Sequence, residues 1–495
     1  MTPLPALSVN LLLSDNLLLL ASLLVIAAVL ITKVGTRFGV PVLLLFLLLG
    51  MVAGPDGLGL TFDNYELAES IGHFAMVVIL FSAGLETSVQ ETRPVFRQGA
   101  MLSSLGVFLT AALTGLFIWL ISGRTMGLSV LGCFLLAAVM GSTDSASVFS
   151  VLRGKKLHLR ENLGPLLELE SGSNDPMAYT LTIILVKILS SGDILLRGGW
   201  HAVWTGLLVL VLQVVVGLAV GYGVGYAAKW MLDRIKLPSF ALTSILILSV
   251  GCFASGLASL LYGNGLLALY CAAIIIGNKA RLIQKKDILH FFDGFTWLMQ
   301  LVMFLMLGLL ARPSQMLPVL LPALLIGLFM MLVARPASVF ASLLPFKGLS
   351  VRAKAFISWV GLKGAGPILF ALCPVVAGLS HSTEMFNIVY IITLFSLLVQ
   401  GGTLGRMARL LHLSYDEDPV AETFGMEIPE EMGMLRDHLV TEEDLAHGET
   451  LRDLHLPHGI RVMMVRRDDH FLVPHGSMPL ETGDHLVIIV GESDD

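Results

Sequence analysis

The chain has 495 residues, of which 55% are hydrophobic and 14% charged, and its mean hydropathy is +0.83. This composition excludes a soluble globular protein of this length and indicates a polytopic membrane protein. The expected surrounding partner is the lipid bilayer, and no nucleic acid partner is expected.

Thirteen apolar stretches within residues 1–410 have the length and composition of membrane helices. The predicted spans are residues 13–32, 40–54, 67–85, 98–121, 127–151, 163–189, 201–228, 238–257, 263–277, 291–311, 315–340, 352–376 and 384–405. Twenty Lys and Arg residues fall in the loops of one side, and the other side carries Arg124, Arg197 and Arg312. Because basic loops stay in the cytoplasm, the N-terminus is predicted to be periplasmic and the C-terminus cytoplasmic.

Spans five and twelve read as interrupted helices. In span five the apolar run stops at Gly141 and resumes after residues 142–145. The interruption of span twelve contains Gly361, Lys363, Gly364, Gly366 and Pro367. Unwound backbone at membrane depth is tolerated where it lines a cavity or is buried in protein. If spans one to six repeat as spans eight to thirteen, the two interruptions occupy equivalent positions of inverted repeats, as in many secondary transporters.

Charged residues accompany both interruptions. Asp144 and Lys363 are predicted to neutralise the dipole ends of the half-helices. A simpler interpretation of Asp144 is the N-cap of the second half-helix, and the two roles are compatible. For Lys363 the simpler interpretation is a side chain that extends to the membrane surface, against which its glycine-rich setting near mid-span argues.

Span six carries the sharpest signal. A carboxylate at mid-membrane costs roughly 2.5 to 3.5 kcal/mol and persists where it faces a cavity or a partner. On a helix Glu170 and Asn174 share a face, and Asp175 lies about a quarter-turn away. Arg335 in span eleven requires a carboxylate partner, for which Glu170 is the candidate. The alternative, one static polar cluster, leaves Asp175 without a cationic partner, so Asp175 and Asp144 predict a cation and proton site.

The composition changes after Arg409. Residues 411–495 hold 20 of the 37 acidic residues and 8 of the 13 histidines. Residues 411–433 are predicted to be a polar linker. Residues 434–495 contain the strand patterns IRVMMV and HLVIIV between the turn signals PHG and ETGD, which predict a small α+β cytoplasmic domain.

Several of these motifs together resemble the monovalent cation/proton antiporter superfamily. They are LFSAGLE in span three, TDSAS in span five, ELESGSND in span six, the arginine of span eleven and GLKGAGP in span twelve. With its Asn-Asp pair, the chain resembles the electroneutral CPA1 branch of this superfamily. Within that branch it resembles the NhaP-type potassium/proton antiporters of Gram-negative bacteria. Residues 434–492 separately resemble the C-terminal, TrkA-C-like lobe (RCK_C) of domains that regulate potassium conductance.

The resemblance implies a sodium/proton antiporter-like fold. This is an all-α polytopic membrane protein of about thirteen helices in two inverted six-helix repeats with crossed broken helices, plus the small α+β domain. A homodimer in the bacterial inner membrane is implied as well. The lobe is expected to take an unidentified regulatory ligand, a small molecule or a nucleotide.

The resemblance also assigns roles to the residues. It implies that Asp175 binds the cation, K⁺ or Na⁺, and the proton in turn. The residues expected to complete the oxygen shell are Asn174, Asp144, Thr143 and Ser171. Glu170 and Arg335 match the family's structural ion pair, and Lys363 stands where many relatives have arginine. Some relatives have an acid where this chain has Ser82 and Ala83, so a ligand from span three is absent or replaced by the Ser82 hydroxyl.

The predicted function is therefore electroneutral exchange of a monovalent cation for H⁺ by alternating access, in potassium, pH and volume homeostasis. No enzymatic activity and no cofactor are expected. K⁺ is favoured as the cation, and Na⁺ or Li⁺ is the alternative. A cation channel gated by the cytoplasmic domain is a second alternative, although a TVGYG-like filter is absent from the sequence. A primary pump is a further alternative, but the sequence contains no nucleotide-binding motif. A sensor that has the fold but does not transport is the last alternative, and a measurement of proton flux distinguishes it from an antiporter.

Overall fold

The computed structural model describes residues 15–38, 41–153, 157–190, 199–235, 237–346, 348–416, 435–441, 444–448, 450–454, 460–467 and 470–490. The chain divides into two compact units. One comprises residues 1–155 and 159–414, and the other comprises residues 156–158 and 415–495. The first unit is built from helices and the second from strands.

The helices of the first half of the helical unit follow the predicted spans. They are α1 (Asp15–Phe38), α2 (Val42–Ala53), α3 (Tyr65–Glu86), α4 (Val89–Thr92), α5 (Phe96–Met101), α6 (Val107–Thr125), α7 (Val130–Val139), α8 (Ser145–Arg153) and α9 (Leu163–Ser190). A 3-10 turn, Arg93–Val95, joins α4 to α5, and a π-helical turn, Leu102–Gly106, joins α5 to α6. Span four is therefore one long helical path with local changes of pitch.

The second half repeats this alternation of long and interrupted helices. Its helices are α10 (Gly199–Arg234), α11 (Phe240–Leu260), α12 (Gly265–Lys279), α13 (Lys285–Leu310), α14 (Pro313–Met316), α15 (Leu320–Phe329), α16 (Arg335–Ser342), α17 (Val351–Trp359), α18 (Ala365–Phe370), α19 (Leu372–Val376), α20 (Ser382–Ser396) and α21 (Gly402–Leu410). Leu317–Val319 form a 3-10 turn, and Met330–Ala334 and Leu397–Gly401 form π-helical turns.

Seven helical segments among the described residues are long and apolar enough to cross a membrane. Shorter apolar helices, such as α2, α7 and α12, lie between them in the chain. The total of thirteen spans stays a prediction.

The two predicted interruptions are confirmed. The helix of span five stops with α7 at Val139 and resumes with α8 at Ser145. The helix of span twelve stops with α17 at Trp359 and resumes with α18 at Ala365. The two unwound segments meet, because the Asp144 amide donates a hydrogen bond of 2.9 Å to the Leu362 carbonyl. Backbone groups that leave their own helices are thereby satisfied by each other.

The helices pack as two bundles. The α12 bundle consists of α2, α3, α10, α11, α12 and α13, and the α9 bundle consists of α5 to α9 and α15 to α21. Glycines allow close packing inside the α12 bundle, where a Cβ on Gly50 of α2 would lie 2.4 Å from the Leu305 carbonyl oxygen of α13. The α9 bundle contains both interrupted helices. Contacts between the bundles are made chiefly by α3, α12 and α13 on one side and α9, α18 and α19 on the other.

The strand unit contains a four-stranded antiparallel sheet. Its strands are β3 (Leu435–Leu439), β4 (Ile460–Arg467), β5 (His470–Leu472) and β6 (His485–Val490), in the order β3-β6-β4-β5. Two further strands, β1 (Leu157–Leu159) and β2 (Ser414–Asp416), pair with each other. The buried core of the sheet domain consists of Val440, Leu454, Val465, Met478, Leu480, Leu486 and Ile488. Helical structure in the described part of this unit is the 3-10 turn Asp444–His447.

An ion pair between Arg467 and the buried carboxylate of Asp484 fixes the turn before β6. The Arg467 guanidinium donates hydrogen bonds of 2.9 and 2.7 Å to the two carboxylate oxygens of Asp484. Burial raises the pKa of Asp484, but the hydrogen bonds from Arg467 and from the Glu481 amide outweigh it, and the pKa lies below its ordinary value. Most of the predicted linker 411–433, and residues 434, 442–443, 449, 455–459, 468–469 and 491–495 of the predicted domain, lie outside the described residues.

Candidate cation and proton site

A cavity of about 390 Å³ lies between the two bundles. Its walls are formed by α3, α9, α13 and both interrupted helices. Ala83, Glu86 and Asp293 line the cavity and are exposed, so the cavity reaches the surface at the C-terminal end of α3 and near the start of α13. These helix ends adjoin the loops that are rich in Lys and Arg.

Asp175 of α9 lies in the wall of this cavity and is half-buried. The Ser142 hydroxyl, from the first unwound segment, donates a hydrogen bond to its carboxylate. Pro176 follows directly and has no backbone N–H, so the carbonyl of Gly172 loses its helical partner. Gly172 also lines the cavity. The cavity wall around Asp175 therefore combines a carboxylate with the Ser142 hydroxyl, at a point where α9 lacks one helical hydrogen bond.

Thr143 is held by α9 at three points. The Ser171 hydroxyl donates to the Thr143 carbonyl at 2.8 Å. The Asn174 amide group donates to the Thr143 hydroxyl at 2.5 Å, and its oxygen accepts from the Thr143 backbone N–H at 3.4 Å. Thr143 and Ser171 line the cavity, whereas Asn174 is fully buried and lies behind the described cavity wall. In this arrangement Asn174 positions the unwound segment.

Asp144 both lines the cavity and caps α8. Its two carboxylate oxygens accept from the backbone N–H and the hydroxyl of Ser147, at 3.0 and 2.5 Å. A carboxylate is favourable there because the first turn of a helix carries unpaired N–H groups and a partial positive charge. The second unwound segment approaches it so closely that a Cβ on Gly364 would lie 2.1 Å from an Asp144 carboxylate oxygen. A glycine at 364 is therefore required by space.

Lys363 is buried, and its ammonium group donates to the Ser142 carbonyl at 2.8 Å. Ser142 follows the C-terminal end of α7, where free carbonyls give a partial negative charge that favours a cation. The Lys363 backbone is fixed from α20, since its N–H donates to the Ser396 hydroxyl at 2.9 Å. Ser396 in turn donates to Gln400, whose amide group donates to the Trp359 carbonyl at 2.8 Å.

Glu170 and Arg335 form an ion pair behind the cavity wall. The Arg335 guanidinium donates to the Glu170 carboxylate, and both side chains are buried, with 6% and 1% exposed. The pair joins α9 to α16. Gly361 leaves room for the guanidinium, since a Cβ there would lie 3.0 Å from Arg335 Nε.

The structure thus places the predicted residues in two layers. Thr143, Asp144, Ser171 and Asp175 line one cavity, and Asn174, Glu170, Arg335 and Lys363 support it from behind. The Ser82 hydroxyl also lines the cavity and donates to Glu86 at 3.3 Å.

Sequence reasoning missed several cavity residues. Ser142 belongs to the same polar run as Thr143, and that run is the signal that could have identified it. Glu86, Glu168 and Asp293 make the mouth of the cavity acidic. Glu86 and Glu168 lie at the ends of the motifs LFSAGLE and ELESGSND, and that position is the signal that could have identified them, whereas Asp293 lies in no such motif.

Comparisons with known protein families match both parts of the chain. Residues 23–410 match the transmembrane sodium/hydrogen exchanger family, and residues 435–494 match the TrkA-C domain. The NhaP2 protein of Shewanella sp. strain MR-4, named as a K⁺/H⁺ antiporter, is 38% identical over 463 residues, which are 93% of this chain and 78% of that protein. The NhaP protein of Alkalimonas amylolytica, also named as a K⁺/H⁺ antiporter, is 35% identical over 482 residues, 94% of this chain and 79% of that protein.

A solved structure shows the same fold. The sodium/proton antiporter MjNhaP1 of Methanocaldococcus jannaschii superposes with a TM-score of 0.64 and 20% identity, over 79% of this chain and 96% of that chain. The predicted antiporter-like fold with interrupted helices is confirmed.

Proposed function

The chain belongs to the sodium/hydrogen exchanger family and is an integral membrane antiporter of a monovalent cation and protons, and from this premise we propose that it exchanges K⁺ for H⁺ at Asp175. The observation that carries the proposal is the position of Asp175. Its carboxylate lies in a cavity that is open to one side, hydrogen-bonded by Ser142 and opposite Asp144. Cation and proton are then alternative ligands of one carboxylate.

The competition has a simple electrostatic origin. A carboxylate at membrane depth is favoured when its charge is neutralised, and either a proton or a cation can do this at Asp175. A dehydrated K⁺ at the same oxygens replaces the proton as counter-charge. The oxygens proposed to complete the shell of K⁺ belong to Thr143, Asp144 and Ser171, with Asn174 and the Ser142 hydroxyl holding the segment in register.

The buried ion pair of the wall is balanced without Asp175, because Arg335 neutralises Glu170. Lys363 places a further positive charge on the carbonyl of Ser142, the residue whose hydroxyl holds Asp175. Asn174 beside Asp175 is neutral. One titrating carboxylate therefore carries either one proton or one cation across, and the proposed exchange is electroneutral.

Alternating access requires Asp175 to reach both sides. The cavity opens toward the loops that are rich in Lys and Arg, and the positive-inside tendency assigns these loops to the cytoplasm. The N-terminus is then periplasmic, and the proposed membrane is the bacterial inner membrane. The described conformation is then open to the cytoplasm. Movement of the α9 bundle against the α12 bundle would close this cavity and open the other side.

Potassium is favoured as substrate because the Shewanella and Alkalimonas relatives, each of which matches more than nine tenths of this chain, are named as K⁺/H⁺ antiporters. The main alternative is Na⁺ or Li⁺. It has its own support, because the Bacillus atrophaeus protein NhaG, 28% identical over 299 residues, is named as a Na⁺/H⁺ antiporter. The physiological role proposed is potassium, pH and volume homeostasis.

The assembly proposed is a homodimer with a cytoplasmic regulatory lobe. The division into residues 1–410, a linker 411–433 and a lobe 434–495 is part of this proposal. Its support is the TrkA-C match of residues 435–494 and the sheet core that these residues form. A small molecule or a nucleotide is the proposed ligand of the lobe, and no cofactor is needed for the exchange itself.

The test is dissipation of an imposed pH gradient in proteoliposomes, with K⁺, Na⁺ and Li⁺ supplied separately. An antiporter for potassium dissipates the gradient with K⁺ at lower concentrations than with Na⁺ or Li⁺. A channel gated by the lobe would conduct the cation without moving protons against it. Cation flux with no coupled proton flux would therefore reject the proposal in favour of the channel.

A further inference from the structure

Asn264, the residue before α12, links the two bundles on the side of Asp175 that faces away from the main cavity. Its side chain is buried, with 4% exposed. The amide nitrogen donates to the Pro176 carbonyl at 2.7 Å and to the Thr180 hydroxyl at 2.5 Å, both on α9. Asn264 belongs to the α12 bundle and its two acceptors to the α9 bundle, so these hydrogen bonds cross the boundary between them.

The remaining polar groups of Asn264 bond within the α12 bundle. The Asn264 amide oxygen accepts from the Leu267 N–H at 2.8 Å and so caps α12. The Asn264 backbone N–H donates to the Gln213 carbonyl of α10 at 2.9 Å. Its carbonyl packs so tightly on α10 that a Cβ on Gly217 would lie 2.7 Å from it. The residue is thus fixed in the α12 bundle, and only its NH₂ group reaches across.

The acceptors lie next to the site. Pro176 follows Asp175 directly, and its carbonyl also accepts from the Thr180 hydroxyl at 2.8 Å. Any movement that carries Asp175 relative to the α12 bundle must move the Pro176 carbonyl with it. The two bonds from Asn264 therefore resist that movement at a point one residue from the carboxylate.

A second cavity, of about 180 Å³, begins where this link ends. It is lined by Thr180, Ile183, Gln213 and Asn264, among others, and lies along the C-terminal part of α9, away from the basic loops. Tyr179 also lines it, and the Tyr179 ring packs between His73 and Phe370, with ring centres 5.7 and 5.5 Å apart. Asn264 and the aromatic rings thus separate the second cavity from Asp175.

We propose that Asn264 is a latch that keeps the extracytoplasmic route to Asp175 closed, and that its bonds to Pro176 and Thr180 must break before Asp175 faces that side. The inference rests on the proposed antiport, because it gives the second cavity the role of the opposite entrance. Asn264 is then a positioning residue that sets the balance between the two access states, and it does not bind the transported ion.

One substitution removes the link and a second one weakens it. Asn264→Ser keeps an N-cap oxygen for α12 but lacks the reach to α9. Thr180→Val removes the hydroxyl of α9 that accepts from Asn264, and the side chain keeps nearly the same shape. The matched control is Asn278→Ser on the same helix, because Asn278 bonds the Thr87 carbonyl at 2.8 Å and the Val89 N–H at 2.9 Å, next to the end of α3.

The experiment reports access from both sides with two single-cysteine reporters. Ala83→Cys places a thiol in the main cavity and Ile183→Cys one in the second cavity, each in a chain whose four native cysteines are changed to Ala. Rates of reaction with a membrane-impermeant thiol reagent are measured in vesicles of each orientation. Labelling needs no transport, so it is independent of the activity assay.

Asn264→Ser is expected to raise the labelling rate at position 183 and to lower it at position 83. The ratio of the two rates should change by about fivefold for each hydrogen bond lost, which is the factor that corresponds to ~1 kcal/mol. Thr180→Val is expected to shift the ratio in the same direction, and Asn278→Ser to leave it unchanged. Unchanged reporters in Asn264→Ser, a rise at both positions, or an equal shift in Asn278→Ser would each overturn the latch. A reciprocal shift in a protein that shows no cation-coupled proton flux would overturn the antiport and leave the latch standing.

Discussion

The Lys363 ammonium nitrogen lies 2.8 Å from the carbonyl oxygen of Ser142, so a cation from the interruption of span twelve donates to the backbone of the interruption of span five. The hydroxyl of the same Ser142 donates to Asp175. Lys363 therefore acts on the site through the backbone of the residue that holds the carboxylate. Its effect on transport should be indirect and separable from that of Asp175.

We predict that Lys363→Met abolishes most of the exchange and lowers the free energy of unfolding by about 1 to 3 kcal/mol, because the Ser142 carbonyl is left buried without its donor. Lys363→Arg keeps the charge and should retain substantial exchange. Both are measured as potassium-dependent proton flux and as unfolding temperature in detergent. Equal activity of the Met and Arg variants would show that the charge is not required.

The second prediction concerns Glu170 and Arg335. Arg335→Ala leaves a buried carboxylate without a counter-charge and should cost about 3 to 5 kcal/mol of stability. Changing both residues to Gln removes both charges and should recover part of that loss. Thermal unfolding of Arg335→Ala and of the double variant measures this, and a double variant no more stable than Arg335→Ala would contradict the pairing.

The third prediction concerns charge balance. Since one carboxylate exchanges one proton for one cation, the exchange rate should not depend on membrane potential. For sodium as the exchanged ion, the potential is set with potassium and valinomycin, and a comparable clamp with another ion serves for potassium. Acceleration by an inside-negative potential would indicate more than one proton per cation.

The fourth prediction concerns the C-terminal lobe. Truncation after Leu413 keeps the hydrogen bond between its carbonyl and the Arg160 N–H and removes the sheet domain. We expect a changed dependence of exchange on pH or potassium concentration, with Asp175 still essential. Leu486→Asp in the full-length chain, which disrupts the buried core of the lobe, should give the same change. Profiles that overlay the full-length protein in both variants would reject regulation by the lobe.

The sequence predicted the two interruptions because Gly141 and the Gly361–Gly366 region break long apolar runs, and this signal is local. Each confirmed break starts one residue earlier, at Met140 and at Val360, because a helix ends where its last hydrogen bonds are lost. Span boundaries were close for the same reason, since hydrophobicity and loop charge are read directly from the chain.

The contacts among the site residues could be predicted less fully from the sequence. Periodicity placed Asn174 and Asp175 on different sides of one helix, but it did not show that Asn174 holds Thr143 while Asp175 faces the cavity. The link from Asn264 to Pro176 joins residues 88 positions apart, and no local pattern predicts it. The acidic mouth formed by Glu86, Glu168 and Asp293 likewise depends on how three helices pack.

The central claim is that cation and proton compete for Asp175, and proton release on cation binding tests it most directly. Purified protein in weakly buffered detergent solution, near neutral pH, is titrated with potassium while released protons are recorded with a pH indicator. The wild type should release protons saturably with potassium, and Asp175→Asn, which is nearly isosteric and expected to remain folded, should release none. Unchanged proton release in Asp175→Asn would contradict the account.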